Sequence, residues 1–163
     1  MQQFILIVTA TSIGLIAGLF YGYSCSVNNG LGKLSDEGYL TAMQSINREI
    51  LNTVFFSSFI GTLLLLPIST WFEYKSGISG TFYLLLAATL LYAIGAFGVT
   101  MLGNVPLNEA LNKFNIPAAT ADQLAKQRAM FEGTWNRLHS IRTFASVASF
   151  ILTIIACIKH KPV

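Results

Sequence analysis

The chain has 163 residues, 53% apolar, 12% aromatic and only 10% charged, with a mean hydropathy of +0.60. Soluble domains carry about a quarter of their residues as Asp, Glu, Lys or Arg, so these proportions exclude an ordinary soluble fold, and the apolar content excludes a disordered chain. Ten bases against seven acids, a net charge of +3, are too few and too scattered for a nucleic-acid footprint, which leaves a membrane protein.

About 20 apolar residues cross the hydrocarbon core of a bilayer. Charge-free stretches cover 1–32, 50–72, 76–108 and 143–158. They predict four transmembrane helices, over 3–26, 51–72, 80–102 and 138–158, in a single domain covering 1–163. The first lacks a basic leader region and is longer than a signal peptide needs, so it reads as a retained span. It carries Ala10, Gly14, Gly18 and Gly22 at a spacing of four. Small residues on one face let helices approach closely in lipid, and the stripe fits either packing within the bundle or a homodimer through Gly14, Gly18 and Gly22.

After the turn-rich 28–32 segment, Ser35 can cap a helix with Asp36 and Glu37 in its first turn. From there to Phe72 only Gly38, Gly61 and Pro67 interrupt, so the second span is expected to project beyond the outer face. Trp71 and Tyr74 fit an interfacial aromatic anchor. The third span ends at Asn104-Val105-Pro106-Leu107-Asn108, where Pro106 disfavours helix at Val105 and Asn104 reads as a cap, a pocket-lining amide, or both. Thr120 can cap a fourth helix that begins at Ala121-Asp122 and runs through Trp135 into the last span. The fold expected is all-α: an up-down four-helix bundle in which helices two and four extend to form a small helical cap. Cys25 and Cys157 then lie on opposite sides, unpaired. The basic tail Lys159-His160-Lys161, together with an even number of spans, predicts a multi-pass protein of the cell (inner) membrane with both termini cytoplasmic.

Polar residues gather near the outer ends of the spans. At ~1.5 Å per residue, Arg142 stands about 25 Å above Lys159, still inside a core of about 30 Å. A guanidinium at that depth faces the bundle interior, an acid or water unless it snorkels to the surface. Glu49 and Glu109 are the candidate counter-ions. Asn47 and Arg48 on the second helix, and Asn104 and Asn108 after the third, lie at similar height.

Trp135, His139 and Arg142 share one face of the fourth helix, and the stripe continues upward through Phe131 and Arg128. Tyr39, Met43, Ile46 and Ile50 form a matching apolar stripe beside Gln44, Asn47 and Arg48. Two such faces either pack solidly or enclose a small aromatic-lined pocket. His139 has no second histidine or thiolate nearby, so no metal is expected. Haem held by His139 and Met43 is the runner-up cofactor, and general base is the chemical role that best suits a histidine.

The run from Thr100 to Leu111, Thr-Met-Leu-Gly-Asn-Val-Pro-Leu-Asn-Glu-Ala-Leu, and Trp135-Asn-Arg-Leu-His-Ser-Ile-Arg-Thr143 resemble the anthrone oxygenase-like family of small four-span membrane proteins. Ala42-Met-Gln-Ser-Ile-Asn47 on the second helix belongs to the same likeness. The resemblance implies oxygenation of an apolar anthrone-, phenol- or quinol-like substrate by O₂ without a dedicated cofactor. Such a carbon acid reacts with O₂ once deprotonated, so a base, an oxyanion stabiliser and an apolar slot suffice. In that picture His139 is the base, Arg142, Asn47 and Asn104 stabilise the oxyanion, and Trp135, Tyr39, Met43, Arg48, Asn108 and Phe131 hold the rings. The competing reading is a protein of the lipid bilayer that binds a lipid, quinone or haem without turnover.

Overall fold

The structure, a computed structural model, describes residues 2–160. Lys161, part of the basic tail that set the expected orientation, lies outside them. Four helices are long and apolar enough to cross a membrane: α1 (Gln2–Leu31), α3 (Thr53–Ser76), α4 (Gly80–Asn112) and α5 (Ala121–Lys159). A shorter helix, α2 (Asp36–Glu49), lies between α1 and α3. The protein is an all-helical, multi-pass bundle. α1 packs on α3 and α5, and α4 on the same two, so the four close into a ring of antiparallel neighbours with α2 and the N-terminal half of α5 forming a cap at one end.

Hydroxyls and carbonyls tie the ring together where apolar contact alone gives no preference over lipid. Thr9 meets Ser69 at 2.8 Å and Ser12 meets Thr62 at 2.9 Å, joining α1 to α3. The Tyr92 hydroxyl donates to the Phe59 carbonyl at 2.9 Å, joining α4 to α3. α4 and α5 approach so closely that a Cβ on Gly95 would sit 2.6 Å from the Ala145 Cβ. At the end away from the cap, Glu73 is buried in α3. Its carboxylate accepts from Gln2 at 2.8 Å and pairs with His160 at 3.2 Å.

Three boundaries differ from those expected. The outward extension of the second span is a separate helix, because Asn52 caps both sides of a break. Its Oδ1 accepts from the Phe55 N–H at 3.0 Å to start α3, and its Nδ2 donates to the Glu49 carbonyl at 2.7 Å to finish α2. The first helix continues to Leu31 rather than stopping near 26, through one wide turn over Tyr23–Val27 in which the Asn28 N–H reaches back five residues to the Tyr23 carbonyl. The third helix does not stop at Asn104. Leu91–Gly98 and Thr100–Asn104 are wound wide, with the Val105 N–H on the Thr100 carbonyl. An α-helical Pro106 would press its ring on the carbonyl four residues back, and the chain passes into Pro106 through this wide turn rather than a regular α-helical one. Asn104 is therefore not a C-cap.

The cap is a small core of its own, in which Tyr39, Leu40, Met43, Leu111, Phe131 and Trp135 pack together. Arg128 clamps it by ion pairs to Asp36 at 3.1 Å and Glu132 at 2.7 Å. It also donates to the Leu34 and Gly32 carbonyls and lies 4.6 Å over the Tyr39 ring. Burial, and after it the charge of Glu132, pushes the Tyr39 phenol above its ordinary value, so that ring stays neutral. Ser35 accepts from the Gly38 N–H at 3.2 Å, and Thr120 forms a reciprocal capping box with Gln123, where the sequence places both helix starts.

Candidate functional site: a buried guanidinium facing an apolar chamber

The lower surface of the cap and the upper bundle enclose a chamber with a free volume of about 110 Å³. α1 contributes Phe20 and Tyr23, α2 contributes Asn47, the α2–α3 break contributes Ile50 and Leu51, and α3 adds Phe55 and Phe59. α4 contributes Thr100, Met101, Val105 and Asn108, and α5 contributes Trp135, His139 and Arg142. The wide turns in α1 and α4 both border it, and such turns recur at functional sites.

Arg142 is 9% exposed and points inward. Its guanidinium lies between two aromatic faces, 4.5 Å from the Phe20 ring centre and 5.1 Å from that of Trp135, where ring quadrupoles attract a cation. Nε and Nη2 both donate to His139 Nδ1, at 3.1 and 3.0 Å. Among the described residues no carboxylate reaches it, so neither Glu49 nor Glu109 is its counter-ion. Nη1 makes no protein hydrogen bond among those residues, and Arg142 lines the chamber. A buried cation without an anion costs several kcal/mol. The chamber is therefore built around an unanswered positive charge.

The same contacts fix the histidine. A guanidinium can only donate, so Nδ1 carries no proton and the neutral ring is protonated at Nε2. That N–H faces Ser24 Oγ at 2.9 Å and the Phe20 carbonyl at 3.2 Å. The imidazole is 1% exposed and stacks on Trp135 at 5.1 Å with an 11° angle between planes. With Nδ1 occupied by Arg142, no basic lone pair faces the chamber, and His139 holds the guanidinium in place. Ser24 and the Phe20 carbonyl hold His139 in turn.

The other expected residues divide. Asn47, Asn108, Trp135 and Arg142 line the chamber together. The Asn47 Nδ2 is sealed from solvent with no partner among the described residues, and Asn108 Oδ1 accepts from Trp135 Nε1 at 2.8 Å. Asn104 is behind the wall, where its Nδ2 donates to the Trp135 carbonyl at 3.3 Å. Tyr39, Met43 and Phe131 belong to the cap core and do not line the chamber. Arg48 is exposed and bonded to Gln44. It borders a neighbouring cleft with Glu109 and Asn112 that shares Asn47, Leu51, Val105 and Asn108 with the chamber, forming a polar mouth. Phe20, Tyr23, Ser24, Phe55 and Phe59 were not singled out from sequence. Ser24 carried a usable signal, being a hydroxyl near the cap end of an apolar helix at the height of Arg142. Gly14 packs against Phe150 of α5, whereas Gly18 and Gly22 meet nothing within 4 Å of a Cβ. Among the described residues no group of three or more His, Cys, Asp or Glu gathers as a metal site would require.

Fold and site together define a multi-pass helical membrane protein with an apolar chamber beside the buried cation Arg142. The chain belongs to the anthrone oxygenase family, whose profile matches residues 48–152, well over half of its length. No curated protein matches the chain, and no solved structure matches it. The matched stretch carries Asn108, Trp135, His139 and Arg142. Phe20, Tyr23, Ser24 and Asn47 lie before it. Family membership and spans fit a membrane oxygenase-like role.

Proposed function

We propose that the protein oxidises an apolar aromatic substrate bearing one ionisable oxygen, an anthrone-, phenol- or quinol-like molecule, with O₂ in this chamber near the outer membrane face. The observation that carries the reading is the Arg142 guanidinium, buried between Phe20 and Trp135 on the wall of an apolar chamber, with Nη1 unbonded and no carboxylate within reach among the described residues. Such a cation binds the conjugate base of the substrate far better than the neutral form, and the low dielectric magnifies the difference. Asn47 lines the same chamber, and its Nδ2, without a partner among the described residues, supplies a second donor to the ligand. The proton passes to water at the polar mouth beside Asn108, and no protein base is required.

The bound oxyanion places electron density on a ring carbon. That carbon bonds to O₂, giving a hydroperoxide. Loss of water breaks the O–O bond and leaves a carbonyl, so a phenol plus O₂ becomes a quinone plus water, and an anthrone CH₂ becomes C=O by the same balance. Chemistry of this kind asks the protein for preorganised donors and exclusion of solvent. Haem suits the site poorly. His139 Nδ1 is occupied by Arg142, and the Met43 sulfur accepts from the Tyr23 hydroxyl at 3.3 Å inside the cap core. The experiment is oxygen uptake by purified protein across a panel of anthrones, phenols and hydroquinones, with ¹⁸O₂ to follow the label. One ¹⁸O in the product carbonyl and the other in water is the expected result. Binding across the panel without oxygen uptake supports instead a ligand carrier, a role favoured by the absence of a free histidine lone pair in the chamber.

A further inference from the structure

The chamber's free volume of about 110 Å³ is of the order of the ~150 Å³ cavity that holds one benzene ring. The space does not end at the walls, however. A groove of about 250 Å³ between α1 and α3 shares Leu19, Ile50 and Phe55 with the chamber and continues along Leu15, Val54 and Ser58. Leu15 is 60% and Val54 79% exposed on the outside of the bundle, where a membrane protein meets lipid. Asn52, which ends α2 and restarts α3, lies on the wall of this groove. On α1, Leu15 is about 7 Å nearer the bilayer centre than Phe20 at ~1.5 Å per residue, so the groove points along the direction of acyl chains. The other opening carries Arg48, Glu109 and Asn112. Apolar chain laid there would desolvate charged and amide groups without replacing their hydrogen bonds.

We propose that the ligand is a single oxygen-bearing aromatic ring with a linear apolar chain, such as an alkyl- or prenyl-substituted phenol or quinol. Its oxygen is on Arg142, its ring is in the chamber, and its chain lies in the α1–α3 groove in contact with lipid. This rests on the reading of Arg142 as the oxygen's seat. It sets substrate class by what the two openings accept: head inward, tail to the bilayer, proton and water through the polar mouth.

The test uses full-length protein in lipid nanodiscs and a 4-dodecylphenol carrying a mid-chain diazirine. Irradiation is expected to label the 15–19 and 54–58 peptides, with the label competed away by 4-ethylphenol and lost in Arg142→Met. Label concentrated at Arg48, Glu109 or Asn112, or label on the groove that 4-ethylphenol does not compete, overturns the proposal. Groove label that survives Arg142→Met overturns it as well, together with the oxyanion reading. Competed, Arg142-dependent label in a protein that consumes no oxygen leaves the proposal standing and defeats only the oxidative step. In Ser58→Trp, and separately in the lipid-facing Leu15→Trp, affinity for the long-chain phenol is expected to fall about tenfold while 4-ethylphenol binds as before. An equal loss for both ligands in both variants, or no loss for either, contradicts it.

Discussion

Replacing Arg142 with methionine separates a functional cation from a structural one. The substitution keeps most of the side-chain volume and removes the charge. It forfeits two cation–π contacts, at 4.5 Å over Phe20 and 5.1 Å over Trp135, each worth about 0.5–2 kcal/mol. It also leaves His139 Nδ1 without a donor, which costs about 1–3 kcal/mol. Against these stands relief from burying an ion with no counter-charge, which is several kcal/mol. The two sides nearly cancel, so the thermal midpoint in nanodiscs is expected within a few degrees of the parent, or above it. Activity behaves differently. Loss of one donor to a developing oxyanion lowers kcat by about 10²–10³, and the charge is lost as well. Oxygen uptake with a phenol panel should therefore fall at least about a hundredfold in a protein that melts normally. Arg142→Lys keeps the charge but not the planar fork and should fall in between. A variant that unfolds readily, with activity lost only in proportion to the folded fraction, would falsify the claim that the guanidinium serves the ligand.

Three further outcomes follow from particular contacts. His139→Phe removes the acceptor that holds Nε and Nη2 and should lower kcat about tenfold or more, yet leave the acid limb of the pH profile where the substrate's own pKa puts it. A shifted or vanished acid limb would restore the histidine as the base. Gly95→Ala drives a Cβ to 2.6 Å from Ala145 and should cost about 1–3 kcal/mol by overpacking, read as a lowered melting point. The double variant with Ala145→Gly should recover most of it, and no recovery refutes the close approach of α4 and α5. Asn52→Ala removes the cap of α3 and the bond to the end of α2. It should cost about 1 kcal/mol, with faster hydrogen exchange at the Phe55 and Phe56 amides as the direct sign; unchanged exchange there argues for a continuous helix.

What the sequence disclosed follows from how far each signal reaches. The spans were legible because charge in hydrocarbon is costly enough to empty whole segments of it. Ser35 and Thr120 were legible because capping is a short-range hydrogen bond. Arg142 stood out through depth alone, and the bundle does hold it inward. The break at Asn52 was not legible, since no Gly or Pro marks it and one amide serving two helix ends shows only in three dimensions. Pro106 suggested a stop, and a five-residue hydrogen bond at Val105 carried the helix past it. Tyr39, Met43 and Phe131 lie on the right faces at the wrong height, because helical spacing says which side a residue takes and not whether a cap core will claim it. The state of His139 depends on a donor three residues away and on Ser24 from another helix, a pairing that helical periodicity does not encode.

The account stands on an ionised oxygen resting against Arg142. A chromophoric phenol such as 4-nitrophenol, added in nanodiscs at a pH well below its own pKa, reports that state by its absorption spectrum. The bound ligand is expected to show the phenolate band with the parent protein and to lose it with Arg142→Met. A bound ligand that keeps the neutral-phenol spectrum in both proteins contradicts the account.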